Sequence, residues 1–124
     1  MQNKAETNDV ITDFLAQWDA AFVELAIFGT NHPERIAELA NDFCQKNLGS
    51  AVKEFLCYES SQGAVFGLCL SDDRRMVVKA HQPTRSLDLL HAIYNVQHHL
   101  ATHGFPCPMP ILGPTLHGEV FLNL

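Results

Sequence analysis

Lys79 is the residue whose type and place could do chemistry. It is the one charged residue in the apolar run Met76-Val77-Val78-Lys79-Ala80. An ammonium on a strand is a point charge with a fixed origin that can be held against a phosphate, although a lysine there can equally pack its stem and carry its charge to the rim. Ser60-Ser61-Gln62-Gly63 is a turn of small polar residues in the preceding sequence, and Ser60 or Ser61 with His81 would supply a hydroxyl and an imidazole but no orienting third group. Among the seven histidines, His99 and His103 stand at i, i+4 and His91 and His98 at i, i+7. Without a nearby acidic or cysteine third ligand, that spacing reads as a solvated helix face, not a metal site. Cys44, Cys57, Cys69 and Cys107 form no C-x-x-C and read as buried free thiols. The sequence contains no G-x-x-x-x-G-K-[ST], G-x-S-x-G or H-E-x-x-H segment. No catalytic residue and no metal ligand is expected.

The bounds on function come from size and charge. A chain of 124 residues forms one domain, because a second core could not bury enough apolar surface. With 47% hydrophobic and 18% charged residues it has an ordinary globular composition. A net charge of −6 argues against a nucleic-acid surface. No run approaches the ~18 apolar residues of a membrane span. The polar start MQNKAETNDV lacks the order of a signal peptide. A cytoplasmic protein with neither membrane nor nucleic acid as partner is the expectation.

The fold expected from periodicity is α+β, a helix pair over residues 1–49 followed by an antiparallel sheet of about four to five strands with one helix over 50–124. Val10, Ile11, Phe14, Leu15, Trp18, Phe22 and Leu25 form one helical stripe from about Asn8 or Asp9 to Gly29, with Trp18 buried. A second helix is capped by Asn31 or His32, carries Pro33 in its first turn and stops at Gly49, with Ile36, Leu39, Ala40, Phe43 and Leu48 facing the core. Val52–Tyr58, Ala64–Leu70 and Met76–Ala80 read as a three-stranded meander, the last two strands joined by the turn Ser71-Asp72-Asp73-Arg74. In the first strand Phe55 and Cys57 should share one face, Leu56 and Tyr58 the other. A third helix runs from Ser86 to His103, burying Leu89, Ile93, Val96 and Leu100 and stopping at Gly104. Prolines at every second position of Phe105–Pro110 demand an extended linker. One last strand spans Thr115–Leu124, whose apolar end predicts exposed surface and a homodimer.

This order resembles the N-terminal, nucleotide-binding lobe of the aminoglycoside phosphotransferase and choline kinase-like (protein-kinase-like) family. The resemblance is carried by VVKA at Val77–Ala80, by HHLATHGFPCP at His98–Pro108 and by their spacing, and it covers roughly Phe55 to Leu112. It implies that Lys79 contacts ATP phosphates, that Ser60, Ser61, Gln62 and Gly63 form the loop covering them, and that Met76 and Val77 lie near the adenine wall. The family's helix glutamate has no counterpart here, since its position is Ile93, and Gln97 one turn along could offer Lys79 a hydrogen bond. The family's catalytic aspartate, in an H-G-D-x-x-x-x-N segment, and its Mg²⁺ ligands belong to a second lobe. Leu116-His117-Gly118-Glu119 with Asn123 only imitates that segment and reads as a turn into the final strand. The implied function is ATP binding, weak or lost, by a lobe without its catalytic partner. The alternative is a non-enzymatic α+β binding or dimerisation module that no longer binds nucleotide.

Overall fold

A computed structural model describes residues 9–16, 22–111, 113–117 and 120–123. The elements follow in the order α1 (Asp9–Ala16), α2 (Phe22–Phe28), α3 (Pro33–Leu48), β1 (Val52–Ser60), β2 (Ala64–Leu70), β3 (Arg75–His81), α4 (Leu87–Thr102), β4 (Thr115–His117) and β5 (Val120–Asn123). The chain is α+β, with one antiparallel sheet in the strand order β1-β2-β3-β5-β4.

Strict alternation in β2 organises the sheet. Ala64, Phe66, Leu68 and Leu70 are all fully buried and share one face, because successive strand residues point to opposite sides. Register carries that parity to β3, where Val78 stands opposite Phe66 and Ala80 opposite Ala64. The inner face so formed packs against Ile11 of α1, Ile27 of α2 and Ile36, Ala37, Ala40, Phe43 and Cys44 of α3. Phe66 sits at the middle of an aromatic group, with ring centroids 5.0 Å from Tyr58, 6.0 Å from Phe55 and 6.1 Å from Phe28, separations at which tilted rings attract.

The sequence of α3 sets its ends as expected: Pro33 occupies the first turn, and Gly49 closes the helix in the left-handed conformation. His32 is the N-cap, without a side-chain cap bond. Two side chains then lock this helix to the sheet. Asn41 Oδ1 accepts from the Val52 amide at 2.8 Å, and Arg74, at the β2–β3 turn, donates to the Leu48 carbonyl at 2.8 Å, placing a cation at the negative end of the helix dipole.

Several expectations are corrected. Of the stretch expected as a single N-terminal helix, Asp9–Ala16 and Phe22–Phe28 form α1 and α2, and residues 17–21 lie outside the described residues. The stripe does not continue through α2, since Phe22 is 77% and Leu25 48% exposed while Glu24 and Ile27 turn inward; Trp18 lies outside the described residues. In β1, Phe55 and Tyr58 both face the core and Cys57 is exposed, because a register shift between Phe55 and Cys57 inserts an extra residue and reverses the alternation. Of the four thiols, which are all free, only Cys44 is buried. The last strand is two, with β4 pairing antiparallel to β5 (His117 opposite Val120) and β5 pairing to β3.

The largest correction concerns α4. Its cap is as expected, with the Leu89 amide donating to Ser86 Oγ at 3.1 Å. Its end is a Schellman motif, in which the Phe105 amide reaches the Leu100 carbonyl at 2.9 Å and Gly104 takes φ +86°. The stripe expected to be buried is not: Leu89, Ile93, Val96 and Leu100 are 36–59% exposed, and only Leu90 is buried. None of the helix's residues joins the core cluster, because the inner face is already filled by α1–α3 and α4 crosses only one end of the outer face.

Glu24 is the one buried charged residue type in the described core, and Tyr58 donates its hydroxyl to Glu24 Oε2 at 2.6 Å. Replacing Tyr58 by Phe strands that carboxyl group, so urea unfolding should show a loss of about 1–3 kcal/mol. Burial first, then the Glu24 carboxyl, hold the Tyr58 phenol far above its usual range, and burial pushes the Cys44 thiol up to about 11. Folded chains therefore keep protons that unfolded chains release at about pH 8.5–10. Stability is full below that window and falls as pH rises through and beyond it. Denaturation profiles should decline above about pH 9, and Tyr58→Phe should flatten the part of the decline above about pH 10.

Candidate functional site

The parity that buries Phe66 sends Val65 outward, and the ladder places Lys79 directly opposite Val65 on the same outer face. Over this face α4 presents Leu90, Ile93, Tyr94 and Gln97, and between helix and sheet lies a cleft of about 240 Å³. Ser61 and Gly63 of the β1–β2 turn, Pro110 of the linker and Arg85 of the segment joining β3 to α4 also line it.

The charge of this lining is one-sided. Lys79 and Arg85 stand in it with His81, and among the described residues no aspartate or glutamate does, although the chain carries a net charge of −6. Among the described residues no carboxylate pairs with either cation. Two unpaired cations beside apolar walls form a local positive potential, suited to an anion. The hydrogen-bond donors are complementary in type, an ammonium as point charge and a guanidinium as planar fork.

The structure brings together four of the residues singled out from sequence, Lys79, Ser61, Gly63 and Gln97, and adds Ile93 at the helix position facing the lysine. Three others do not line the cleft. Ser60 is the last residue of β1. Gln62 points its side chain toward Arg85, whose Nη2 donates to Gln62 Oε1 at 3.1 Å. Val77 lies on the outer face but beyond the cleft, 46% exposed. Met76 packs against the core cluster, which removes it from any ligand wall. Gln97 does not serve Lys79 with its amide nitrogen, which donates instead to the Pro108 carbonyl at 2.9 Å. That bond straps the proline-rich linker along α4, where the Cys107 thiol also reaches the Gln97 carbonyl at 3.8 Å.

Arg85, Tyr94 and Pro110 were not foreseen. Arg85 had a signal, as a cation immediately before the helix cap Ser86 and six residues after Lys79; nothing in the sequence marked Tyr94 or Pro110. The histidines lie elsewhere: His103 donates from Nδ1 to the His99 carbonyl at 2.7 Å with their rings 4.1 Å apart. Among the described residues no group of three or more His, Cys, Asp or Glu is placed to hold a metal ion. No described helix is long and apolar enough to cross a membrane. The chain matches no family model, no curated protein and no solved structure.

Gly63 is required where it stands, because a Cβ there would lie 2.8 Å from the Ala80 carbonyl oxygen, a backbone atom that cannot swing aside. The bare glycine lets the turn close down on β3 beside Lys79. Gly63→Ala should push the turn outward and cost about 1–3 kcal/mol in thermal or urea unfolding, whereas Gly49→Asn, at a helix stop where a side chain meets nothing within 4 Å, should cost less than about 1 kcal/mol.

Proposed function

We propose that the chain is the ATP-binding lobe of a small-molecule phosphotransferase of the aminoglycoside phosphotransferase and choline kinase-like kind, with Lys79 as the phosphate contact. The observation that carries the reading is the cleft itself: a lysine on a central strand and an arginine from the segment before α4, with no acidic residue among the described residues of the lining. A strand lysine, a covering turn and a facing helix are the parts that phosphate positioning requires. The same parts were expected from the resemblance at Val77–Ala80 and His98–Pro108.

Phosphoryl transfer needs more than positioning. Carboxylates must hold Mg²⁺ and orient the attacking hydroxyl, and among the described residues none lines this cleft. In this reading Mg²⁺ and the catalytic groups come from a second lobe, and the chain alone binds nucleotide weakly and turns nothing over. Calorimetric titration with ATP is expected to give a Kd of about 0.1–1 mM. Lys79→Ala should weaken it about tenfold, the loss of one charge-assisted contact. Equal affinities for the two proteins would remove the lysine from the site.

One observation favours a second reading, a non-enzymatic dimerisation module that has lost the nucleotide. Ile93, where a glutamate would orient the lysine, continues into Leu89, Val96 and Leu100 as an exposed apolar stripe, a surface of the kind that marks contact with another protein. Under that reading light scattering at micromolar concentration shows a dimer, Val96→Glu returns a monomer, and ATP has no effect on either.

A further inference from the structure

We propose that Arg85 is a second phosphate-binding residue of the cleft and that Gln62 restrains it when no ligand is bound. The inference rests on reading the cleft as a phosphate site, and it assigns to that site a residue and a competition that the lysine alone does not supply. Arg85 is held at its backbone, where its amide donates to the Gln82 carbonyl at 3.0 Å. Arg85 lines the cleft together with Lys79. Its Nη2 donates to Gln62 Oε1 at 3.1 Å, a neutral oxygen, and among the described residues no carboxylate neutralises it.

A guanidinium has five donors in a rigid fork and binds a phosphate better than an amide oxygen, because the bond to an ionised acceptor is about twice as strong as one to a neutral acceptor. An incoming polyphosphate therefore competes with Gln62 for Arg85 and wins. The turn is not released when this happens, since the Gln62 carbonyl still accepts from Gln82 Nε2 and the Ser61 amide still donates to the Gly63 carbonyl. The exchange thus moves one side chain and leaves the cover of the cleft in place. Lys79 and Arg85 approach from different elements, β3 and the loop before α4, so together they fit a chain of phosphates better than a single monoanion.

The test is calorimetric titration with sodium tripolyphosphate of the wild type, Lys79→Ala, Arg85→Ala, Arg85→Lys and Gln62→Ala, with thermal melting to compare their folds. Arg85→Ala is expected to weaken binding about tenfold. Arg85→Lys, which keeps the charge and guards against loss of fold, should weaken it about threefold for want of the fork. Gln62→Ala is expected to tighten binding about two- to threefold, by removing the competitor. An arginine that merely pins the turn predicts the opposite sign, with Gln62→Ala weakening binding as Arg85→Ala does, and that result overturns the proposal. Unchanged affinity in both Arg85 variants while Lys79→Ala loses affinity also overturns it, and leaves the phosphate site standing. No binding by the wild type, or no effect of Lys79→Ala, overturns the phosphate site and this inference together.

Discussion

Burial of Phe66 is the constraint from which the rest of the arrangement follows. Its ring is fully enclosed by Tyr58, Phe55 and Phe28, a contact area worth several kcal/mol for one side chain. A strand cannot slip by one residue without turning such a ring to solvent. The parity of β2 is therefore fixed by its core, and the antiparallel register transmits it to β3. Lys79 faces outward because Val78 and Ala80 on either side of it are buried. The position of Lys79 is thus a consequence of hydrophobic packing on the opposite side of the sheet.

The two faces of that sheet are unlike. The inner one is closed by three helices and sealed by a buried tyrosine–glutamate hydrogen bond. The outer one carries Val65, Val77 and Lys79 and is crossed by a helix that buries only Leu90. A helix so lightly packed draws its stability from its ends, from the Ser86 cap and from the Schellman turn at Gly104. The gap it leaves over the sheet is the cleft. Loose packing on one side and a rigid sheet on the other is the usual arrangement where a ligand must enter, since the groups that touch it need fixed origins and open space.

Much of this was legible in the sequence where the physics is local. The strands β2 and β3, the stop at Gly49, the cap at Ser86 and the turn at Gly104 follow from alternation, from a hydroxyl before a helical run and from glycine in the left-handed region, all of which act within a few residues. What was not legible depends on distant packing. The extra residue in β1 that turns Tyr58 inward answers to Glu24, 34 residues away. The apolar spacing of α4 marks a helix face correctly, but periodicity says nothing about whether another element has already occupied the core that the face would seek. Of the expected site, Lys79, Ser61, Gly63 and Gln97 converge because three elements meet there. Ser60 falls outside the lining because it shares the inward parity of Tyr58, Gln62 because its side chain is bonded to Arg85, and Val77 because, although it shares the outer face with Lys79, it lies two residues along β3 beyond the cleft.

The account's central claim is that the outer-face cleft receives phosphate, and backbone amide shifts during a titration with ATP test it most directly. Nuclear magnetic resonance of the ¹⁵N-labelled chain should show perturbations concentrated at Gly63, Val65, Lys79, Ala80 and Arg85. The amides of the inner-face helices α1 and α3 should stay still. Perturbations absent from the cleft at saturating nucleotide, or confined to residues away from Lys79, would contradict it.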